Sequence, residues 1–254
     1  MLAAFIAVGA YGLFLSFLVS TFSYRLLYER PLFSGRFFCH HCQQSLTWSE
    51  LIPLFSYIKQ HGRCRHCTQA ISYAYPLVEG VMLCFVFYLF YLFAPHSVLT
   101  FVVYSLYAAA LLIAVWTDLQ AMLIPVVVTL GMVPVGLTAA ALGFLQISLF
   151  ESCVGALLGY ISLWIVAVCF RLLAKKDGMG VGDMHMLAMI GSFTGPLGVW
   201  VTAFVGSFSG VVLTTIYLLI TKKGKDTRVP FGPFLALGGL LAATHGHLLL
   251  SFFA

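Results

Sequence analysis

The sequence predicts an all-α polytopic membrane protein of about eight transmembrane helices. Three observations predict this class: hydrophobic residues make up 61% of the 254 residues, charged residues only 8%, and the mean hydropathy is +1.02. These values lie far from those of soluble domains, in which about 25% of residues are charged. The chain therefore has a lipid bilayer as its main solvent.

Seven apolar runs have about the length that a helix needs to cross ~30 Å of hydrocarbon. They are residues 2–24, 77–93, 98–116, 126–142, 152–173, 199–220 and 231–253. An eighth segment, 184–194, is short for a full crossing. We expect it to be either a half-helix or one leg of a hairpin closed by Gly195 and Pro196.

The distribution of charge predicts the topology. If eight segments cross alternately, all 13 Lys and Arg residues fall on one side, which the positive-inside rule makes the cytoplasm. Asp118 and Asp183 then also lie at the cytoplasmic boundary, at similar depth. The net charge of +5 follows from this bias and from anionic lipid, so it does not indicate a nucleic-acid partner.

The same reading divides the chain into three parts: a first transmembrane helix at 1–24, a cytoplasmic loop at 25–75 and a transmembrane core at 76–254. We interpret the first apolar run as a retained helix rather than a signal peptide. No basic residue precedes it and no small-residue cleavage site follows it.

The polar loop contains two Cys-x-x-Cys pairs, Cys39 with Cys42 and Cys64 with Cys67, separated by 21 residues. This spacing is typical of a four-thiolate zinc site, and metal binding would supply much of the loop's folding energy. Disulfides are the alternative, but the cytosol keeps thiols reduced. A histidine can also replace one thiolate, and the candidates are His40, His41 and His66. The remaining cysteines, Cys84, Cys153 and Cys169, are predicted to be small buried hydrophobes.

Asp183 follows glycines 178, 180 and 182 and directly precedes an apolar segment, in a chain with only eight acidic residues. A carboxylate at the edge of a bilayer is costly unless it faces protein or water, so its default interpretation is functional. The alternative is an Asp N-cap for the following helix. Asp118 ends another apolar run shortly before Pro125, which suits the start of a helix.

Two carboxylates a few ångströms apart share a proton. The ionised member can take a proton from an attacking water while the protonated member hydrogen-bonds a peptide carbonyl. Gly180 and Gly182 would allow an extended peptide to approach closely, although they also serve to interrupt a helix. Glu79, at the start of the second apolar run, is a candidate partner for an Arg, a substrate contact or a catalytic accessory, in that order.

Together these motifs resemble those of bacterial type IV prepilin peptidases, members of the GxGD class of intramembrane aspartic peptidases. The resemblance is carried by residues 180–183, by Thr117, Asp118 and Leu119 leading to Ile124 and Pro125, by the two cysteine pairs, and by the segment 229–239. It runs over nearly the whole chain, in the order that the family shows.

The resemblance implies a multi-pass enzyme of the bacterial inner membrane whose active site faces the cytoplasm. Its substrates would be prepilins or pilin-like proteins of secretion and DNA uptake, cut after a glycine to remove a basic leader. It implies Asp118 and Asp183 as catalytic residues, Gly180 and Gly182 as the active-site loop, and a zinc-binding loop. Many members also methylate the new N-terminus with S-adenosylmethionine.

Two departures from the family pattern stand out. His185 occupies a position where the family usually has Lys, so the local field can depend on pH. Leu15 and Val19 stand where Gly and Asn are expected, which weakens the case for methyl transfer more than that for proteolysis. Two alternatives therefore stay open: a peptidase without methyltransferase activity, and a non-enzymatic membrane scaffold. The sequence does not predict the oligomeric state, the particular substrate or the S-adenosylmethionine-binding residues.

Overall fold

The structure is a computed structural model that describes residues 2–28, 30–31, 37–39, 41–47, 50, 52–175, 179–222 and 229–251, with side chains as far as 246. Eight helices are assigned in these ranges: α1 (Leu2–Leu27), α2 (Phe55–Lys59), α3 (Ala74–Phe93), α4 (Val98–Ala121), α5 (Val126–Ala141), α6 (Leu149–Ala174), α7 (Val181–Thr221) and α8 (Gly232–Ser251). The only extended pairings in the described part are two isolated bridges. The predicted all-α class is confirmed.

Each predicted apolar run coincides with a helix. Five helices, α1, α3, α4, α6 and α7, are long and apolar enough to cross a membrane, and α5 is a shorter apolar helix. The count of eight spans stays a prediction, as do the proposed boundaries at 24 and 75. By its internal contacts the chain forms two compact units, 1–113 and 114–254.

In the first unit α1 packs closely against α3. A side chain at Gly12 would meet Leu83 Cδ1 at 2.7 Å, so the small residue allows the two helices to approach. Ser16 Oγ donates a hydrogen bond to the Glu79 carbonyl at 3.0 Å. The predicted departures Leu15 and Val19 are both buried in this unit.

In the second unit α6 packs against the first part of α7 through small residues. A Cβ at Gly155 would collide with the backbone of Gly191 and Gly195, and one at Gly159 with that of Leu187. Ser152 Oγ donates a hydrogen bond to the Ser192 carbonyl at 2.5 Å. Backbones this close exclude any larger residue at these glycines.

Gly195 divides α7 into two arms, 181–194 and 196–221. Its φ of 70° and ψ of −175° are not helical, and Pro196 follows. A Cβ at Gly191 would lie 2.8 Å from Val199 Cγ2, whereas eight residues of straight helix span about 12 Å. The chain therefore turns back on itself, so segment 184–194 is the leg of a hairpin, one of the two predicted alternatives.

The second arm of α7 packs against α8 in antiparallel fashion. A Cβ at Gly238 would lie 2.8 Å from Thr202 Cα, and one at Gly206 would lie 3.4 Å from the Phe234 carbonyl oxygen. The start of α8 therefore lies beside Gly206 and Gly210, in the middle of the second arm of α7. This arrangement determines the position of the first residue of α8, Gly232.

The prediction that Cys84, Cys153 and Cys169 are buried is wrong. All three side chains are exposed on the outer faces of α3 and α6. In a helix that is apolar on every side, hydrophobicity does not distinguish the face that packs on protein from the face that meets lipid.

Candidate active site and metal centre

Asp118 lies in the last turn of α4, where its side chain is only 5% exposed. Its Oδ2 atom accepts a hydrogen bond from the backbone N–H of Gly232 at 2.8 Å. Gly232 is the first residue of α8. A backbone N–H at the start of a helix carries the positive end of the helix dipole, so it suits a carboxylate.

The linker after α4 turns the chain sharply. Met122 takes a φ of 53° and its N–H donates to the Asp118 carbonyl at 2.8 Å, which closes the helix. Pro125 then forms the extended N-cap of α5, close to the helix-starting position predicted for it. Between these two residues lies Ile124, which is buried.

Asp183 occupies the first turn of α7 and is 8% exposed. The N-cap of α7 is Gly180, which has no side chain to form a cap, and the Asp183 N–H donates to the Gly180 carbonyl at 3.3 Å. The alternative interpretation of Asp183 as an N-cap is therefore not what the structure shows. Its position in the first turn still places a carboxylate where the helix dipole favours negative charge.

The structure brings Asp118 and Asp183 together within the second unit, close enough for the charge of Asp118 to act on Asp183. Each is nearly inaccessible to solvent, so little water screens their interaction. Two carboxylates in this situation can share one proton.

Ile124 packs between the two glycines that adjoin this pair. A Cβ at Gly182 would lie 2.7 Å from Ile124 Cβ, and a Cβ at Gly232 would lie 3.3 Å from Ile124 Cδ1. At Gly182 the missing side chain thus accommodates Ile124, whereas the sequence suggested room for a substrate peptide. At Gly180 a Cβ would make ordinary contact, 3.5 Å from Asp183 Oδ2.

His185 follows Asp183 by two residues on α7, so the two side chains leave the helix about 200° apart. The imidazole stacks on the ring of Tyr160 of α6, with centroids 5.7 Å apart and planes at 24°. Its Nδ1 is buried and has no hydrogen-bond partner among the described residues. The structure therefore places His185 in the contact between α6 and α7.

The two cysteine pairs form two knuckles with the same backbone hydrogen bonds. In the first, the Cys39 N–H donates to Gln44 and the Gln43 N–H donates to Cys39; in the second, Cys64 pairs in the same way with Gln69 and Thr68. All four of these bonds measure 2.9 Å. The two knuckles thus have the same local fold, and each contributes two cysteine sulfurs to one cluster.

The sulfur atoms of Cys39, Cys42, Cys64 and Cys67 all lie within 4.8 Å of one another, and those of Cys39 and Cys67 are 3.9 Å apart. A tetrahedron with Zn–S bonds of about 2.3 Å has sulfur–sulfur edges of about 3.8 Å. The four cysteines are free thiols. They therefore fit a metal ion, and His41 and His66 do not belong to this cluster; His40 lies outside the described residues.

The thiols influence one another strongly. Burial raises the pKa of the Cys39 thiol, but backbone N–H groups of Cys42 and His41 and the neighbouring thiols lower it to about 7. The Gln69 N–H lowers the pKa of Cys67, but partial burial and the surrounding sulfurs raise it to about 11. A thiolate at Cys39 is thus stabilised by its neighbours, and a cation bound at the centre would favour the thiolate form of its ligands.

Among the described residues of its unit, Glu79 forms no ion pair with an arginine. Its Oε1 accepts a hydrogen bond from Ser20 Oγ at 3.0 Å and its Oε2 accepts one from the backbone N–H of Leu54 at 2.8 Å. Leu54 takes a φ of 59°, which is unusual for a leucine. Glu79 therefore joins α1 and α3 to the segment that leads into the second knuckle.

The cavity against the second arm of α7 is not a site for S-adenosylmethionine. One cavity on the outer face of α7 is lined by Trp200, Ala203, Phe204, Ser207, Phe208 and Val211. This lining offers one hydroxyl and no charge to a ligand that carries a sulfonium, an amine and a carboxylate. The cavity does not fit that cofactor.

Sequence reasoning missed two contacts of the candidate active site, Gly232 with Asp118 and Ile124 with Gly182. A weak signal exists for the first contact. The helix α8 begins with Gly232 and Pro233, a pair that suits the start of a helix. No comparable signal exists for Ile124, which is one apolar residue among many.

Comparisons with known proteins agree with the sequence motifs. Residues 10–93 match the bacterial peptidase A24 N-terminal domain, and residues 105–215 match the type IV leader peptidase family. No solved structure matches the chain.

The curated relatives cover most of the chain. A "Type 4 prepilin-like proteins leader peptide-processing enzyme" from Escherichia coli O78:H11 is 37% identical over 202 residues, which are 80% of this chain and 72% of the relative. A "Prepilin leader peptidase/N-methyltransferase" from Legionella pneumophila is 32% identical over 224 residues, 87% of this chain and 76% of the relative. The protein of the same name from Pectobacterium carotovorum is 34% identical over 202 residues, 80% of this chain and 71% of the relative. The chain belongs to the type IV leader peptidase family.

Proposed function

We propose that this protein is an aspartic endopeptidase of the bacterial inner membrane that removes the basic leader from prepilins or pilin-like proteins after a glycine. The observation that carries the proposal is the interaction of two nearly inaccessible carboxylates, Asp118 in the last turn of α4 and Asp183 in the first turn of α7. Family membership supports the same activity.

In the proposed reaction the pair carries one proton. The ionised carboxylate takes a proton from a water molecule as the water oxygen attacks the scissile carbonyl, and the protonated carboxyl group hydrogen-bonds the carbonyl oxygen. The C–N bond of the tetrahedral intermediate then breaks, and the leaving amine takes up a proton from the carboxyl pair. The pair returns to its singly protonated state, and neither a nucleophilic side chain nor a metal takes part.

We place this chemistry at the cytoplasmic boundary of the membrane. Cationic residues at helix ends of the second unit support this orientation: Arg171 lies in the last turn of α6, and Lys222 is the C-cap of α7. A prepilin presents a basic leader on the cytoplasmic side and an apolar helix in the bilayer. Its scissile bond then lies at the depth proposed for Asp118 and Asp183.

We propose a structural role for the metal. Cys39, Cys42, Cys64 and Cys67 would hold a zinc ion that joins the two knuckles, because a loop of this size has little apolar core of its own. Zinc supplies folding energy here and takes no part in hydrolysis. The folded loop, which carries Arg63 and Arg65, would help to dock the substrate.

A second candidate activity is N-methylation of the new N-terminus with S-adenosylmethionine. The names of the Legionella and Pectobacterium relatives include this activity. We assign no residues of this chain to the cofactor. A peptidase that lacks this second activity is equally compatible with the aspartate pair.

The experiment that tests the proposal is processing of a prepilin by Asp118→Asn and Asp183→Asn variants in membranes. Each substitution removes one ionisable group with little change of shape, so each should abolish leader removal while the protein remains inserted. Glu151→Gln is the matched control, because this exposed carboxylate only caps α6. Full processing by either Asp variant contradicts the dyad and favours the scaffold alternative.

A further inference from the structure

We propose that the backbone N–H of Gly232 is a positioning group that holds Asp118 for the reaction, and that only glycine can occupy this position. The inference rests on the proposed function of Asp118. It assigns a role to the first residue of α8, which belongs to a segment 114 residues away in sequence from the aspartate.

The first step of the argument is the hydrogen bond itself. The Gly232 N–H donates to Asp118 Oδ2 at 2.8 Å in a buried environment. A backbone donor bound to a carboxylate is among the stronger hydrogen bonds in proteins. With Oδ2 held by Gly232, the other oxygen, Oδ1, is the one available to accept a proton from water. The contact therefore selects which oxygen reacts.

The second step is the requirement for glycine. A Cβ at Gly232 would lie 2.7 Å from Asp118 Oδ2 and 3.3 Å from Asp118 Cγ. Real Cβ atoms essentially never approach another atom this closely, so a larger residue must displace the carboxylate or the start of α8. The same Cβ would meet Ile124 Cδ1 at 3.3 Å, so this side chain must also shift slightly.

The third step is the rigidity of the donor. The N–H groups of Phe234 and Leu235 donate to the Phe231 carbonyl at 3.1 and 3.2 Å, which forms the first turn of α8. Leu235 is fully buried. Phe231 and Phe234 pack on α7, where a Cβ at Gly210 would lie 3.4 Å from each ring. The direction of the Gly232 N–H is thus determined by the packing of α8 on α7.

Two substitutions at Gly232 distinguish the role of the N–H donor from that of the missing Cβ. Gly232→Ala keeps the N–H and adds the Cβ, whereas Gly232→Pro adds a ring and also removes the N–H. Proline is well tolerated at the first position of a helix, so α8 should still form. We expect kcat for prepilin cleavage to fall about 10²-fold in the Ala variant, because displacing a reacting carboxylate by about 1 Å has this effect. We expect a larger fall in the Pro variant. KM should change little.

Two control variants on α8 distinguish positioning from stability. Gly246→Ala meets nothing within 4 Å and should behave as the wild type. Gly238→Ala introduces a Cβ 2.8 Å from Thr202 Cα, away from the aspartates, so it should lower the unfolding temperature without a comparable loss of kcat.

The inference is overturned if Gly232→Ala cleaves the prepilin at the wild-type rate. It is also overturned if Gly238→Ala and Gly232→Ala have equally lowered unfolding temperatures and lose equal factors of kcat. These outcomes differ from failure of the proposed function. If Asp118→Asn still removes the leader, the function itself is wrong. If Asp118→Asn is inactive and Gly232→Ala is fully active, only the role of Gly232 is wrong.

Discussion

The contact between Gly182 and Ile124 makes Gly182→Ala the most informative substitution for the architecture of the site. The added Cβ would lie 2.7 Å from Ile124 Cβ, 3.3 Å from its carbonyl oxygen and 3.5 Å from its Cα. Two carbon atoms prefer a separation of about 3.5–4.0 Å, so the overlap is about 1 Å. The atoms concerned belong to the backbone or to Cβ, so no side-chain rotation relieves it.

Either Ile124 or the first turn of α7 must therefore move. Overpacking of this kind costs about 1–3 kcal/mol, which a folded helical bundle tolerates. Asp183 directly follows Gly182, so a shift of the first turn of α7 moves its carboxylate by a similar distance. A misplacement of about 1 Å at a reacting group lowers the rate about 10²-fold. We expect Gly182→Ala to lose about this factor in kcat while it retains its fold.

The assay is cleavage of a purified prepilin in proteoliposomes. Gly131→Ala is the matched control, since a Cβ on this glycine of α5 meets nothing within 4 Å. Ile124→Gly removes the atom that Gly182→Ala strikes, so the double variant should recover part of the activity lost by Gly182→Ala alone. Wild-type activity of Gly182→Ala would refute the reasoning. So would a double variant in which the losses of activity caused by the two single substitutions simply add.

Two further predictions concern the loop between α1 and α3. Cys64→Ser should lose bound zinc, as measured by elemental analysis of the purified protein. Cys84→Ser, on the exposed face of α3, should retain it. Equal zinc contents in the two variants would contradict the four-thiolate site. Glu79→Ala should release the Leu54 N–H and speed tryptic cleavage at the exposed Lys59. Glu79→Gln keeps an acceptor oxygen and should resemble the wild type. Equal cleavage rates of the two variants would show that this hydrogen bond does not hold the loop.

Features that depend on local sequence or on the cost of charge in a membrane could be predicted. The apolar runs matched the helices because a bilayer imposes a minimum length. Asp118 and Asp183 stood out because carboxylates are rare and costly in such a chain. The cysteine pairs were recognisable because each knuckle is a short local structure whose two ligands lie three residues apart.

Features that depend on helix faces and on backbone groups could not be predicted. The exposed positions of Cys84 and Cys153 show that hydrophobicity alone does not identify a buried face. The partner of Glu79 is the backbone N–H of Leu54, and the partner of Asp118 is the backbone N–H of Gly232. Every residue except proline has such a donor, so its use leaves no mark in the sequence.

The central claim is that the Asp118–Asp183 pair hydrolyses the leader bond. Its most direct test is mass analysis of the pilin N-terminus after a purified prepilin is incubated with the reconstituted protein. The account predicts release of the leader after a glycine by the wild type and an intact prepilin with Asp183→Asn. It is contradicted if the wild type leaves the prepilin intact, or if Asp183→Asn yields the same mature pilin.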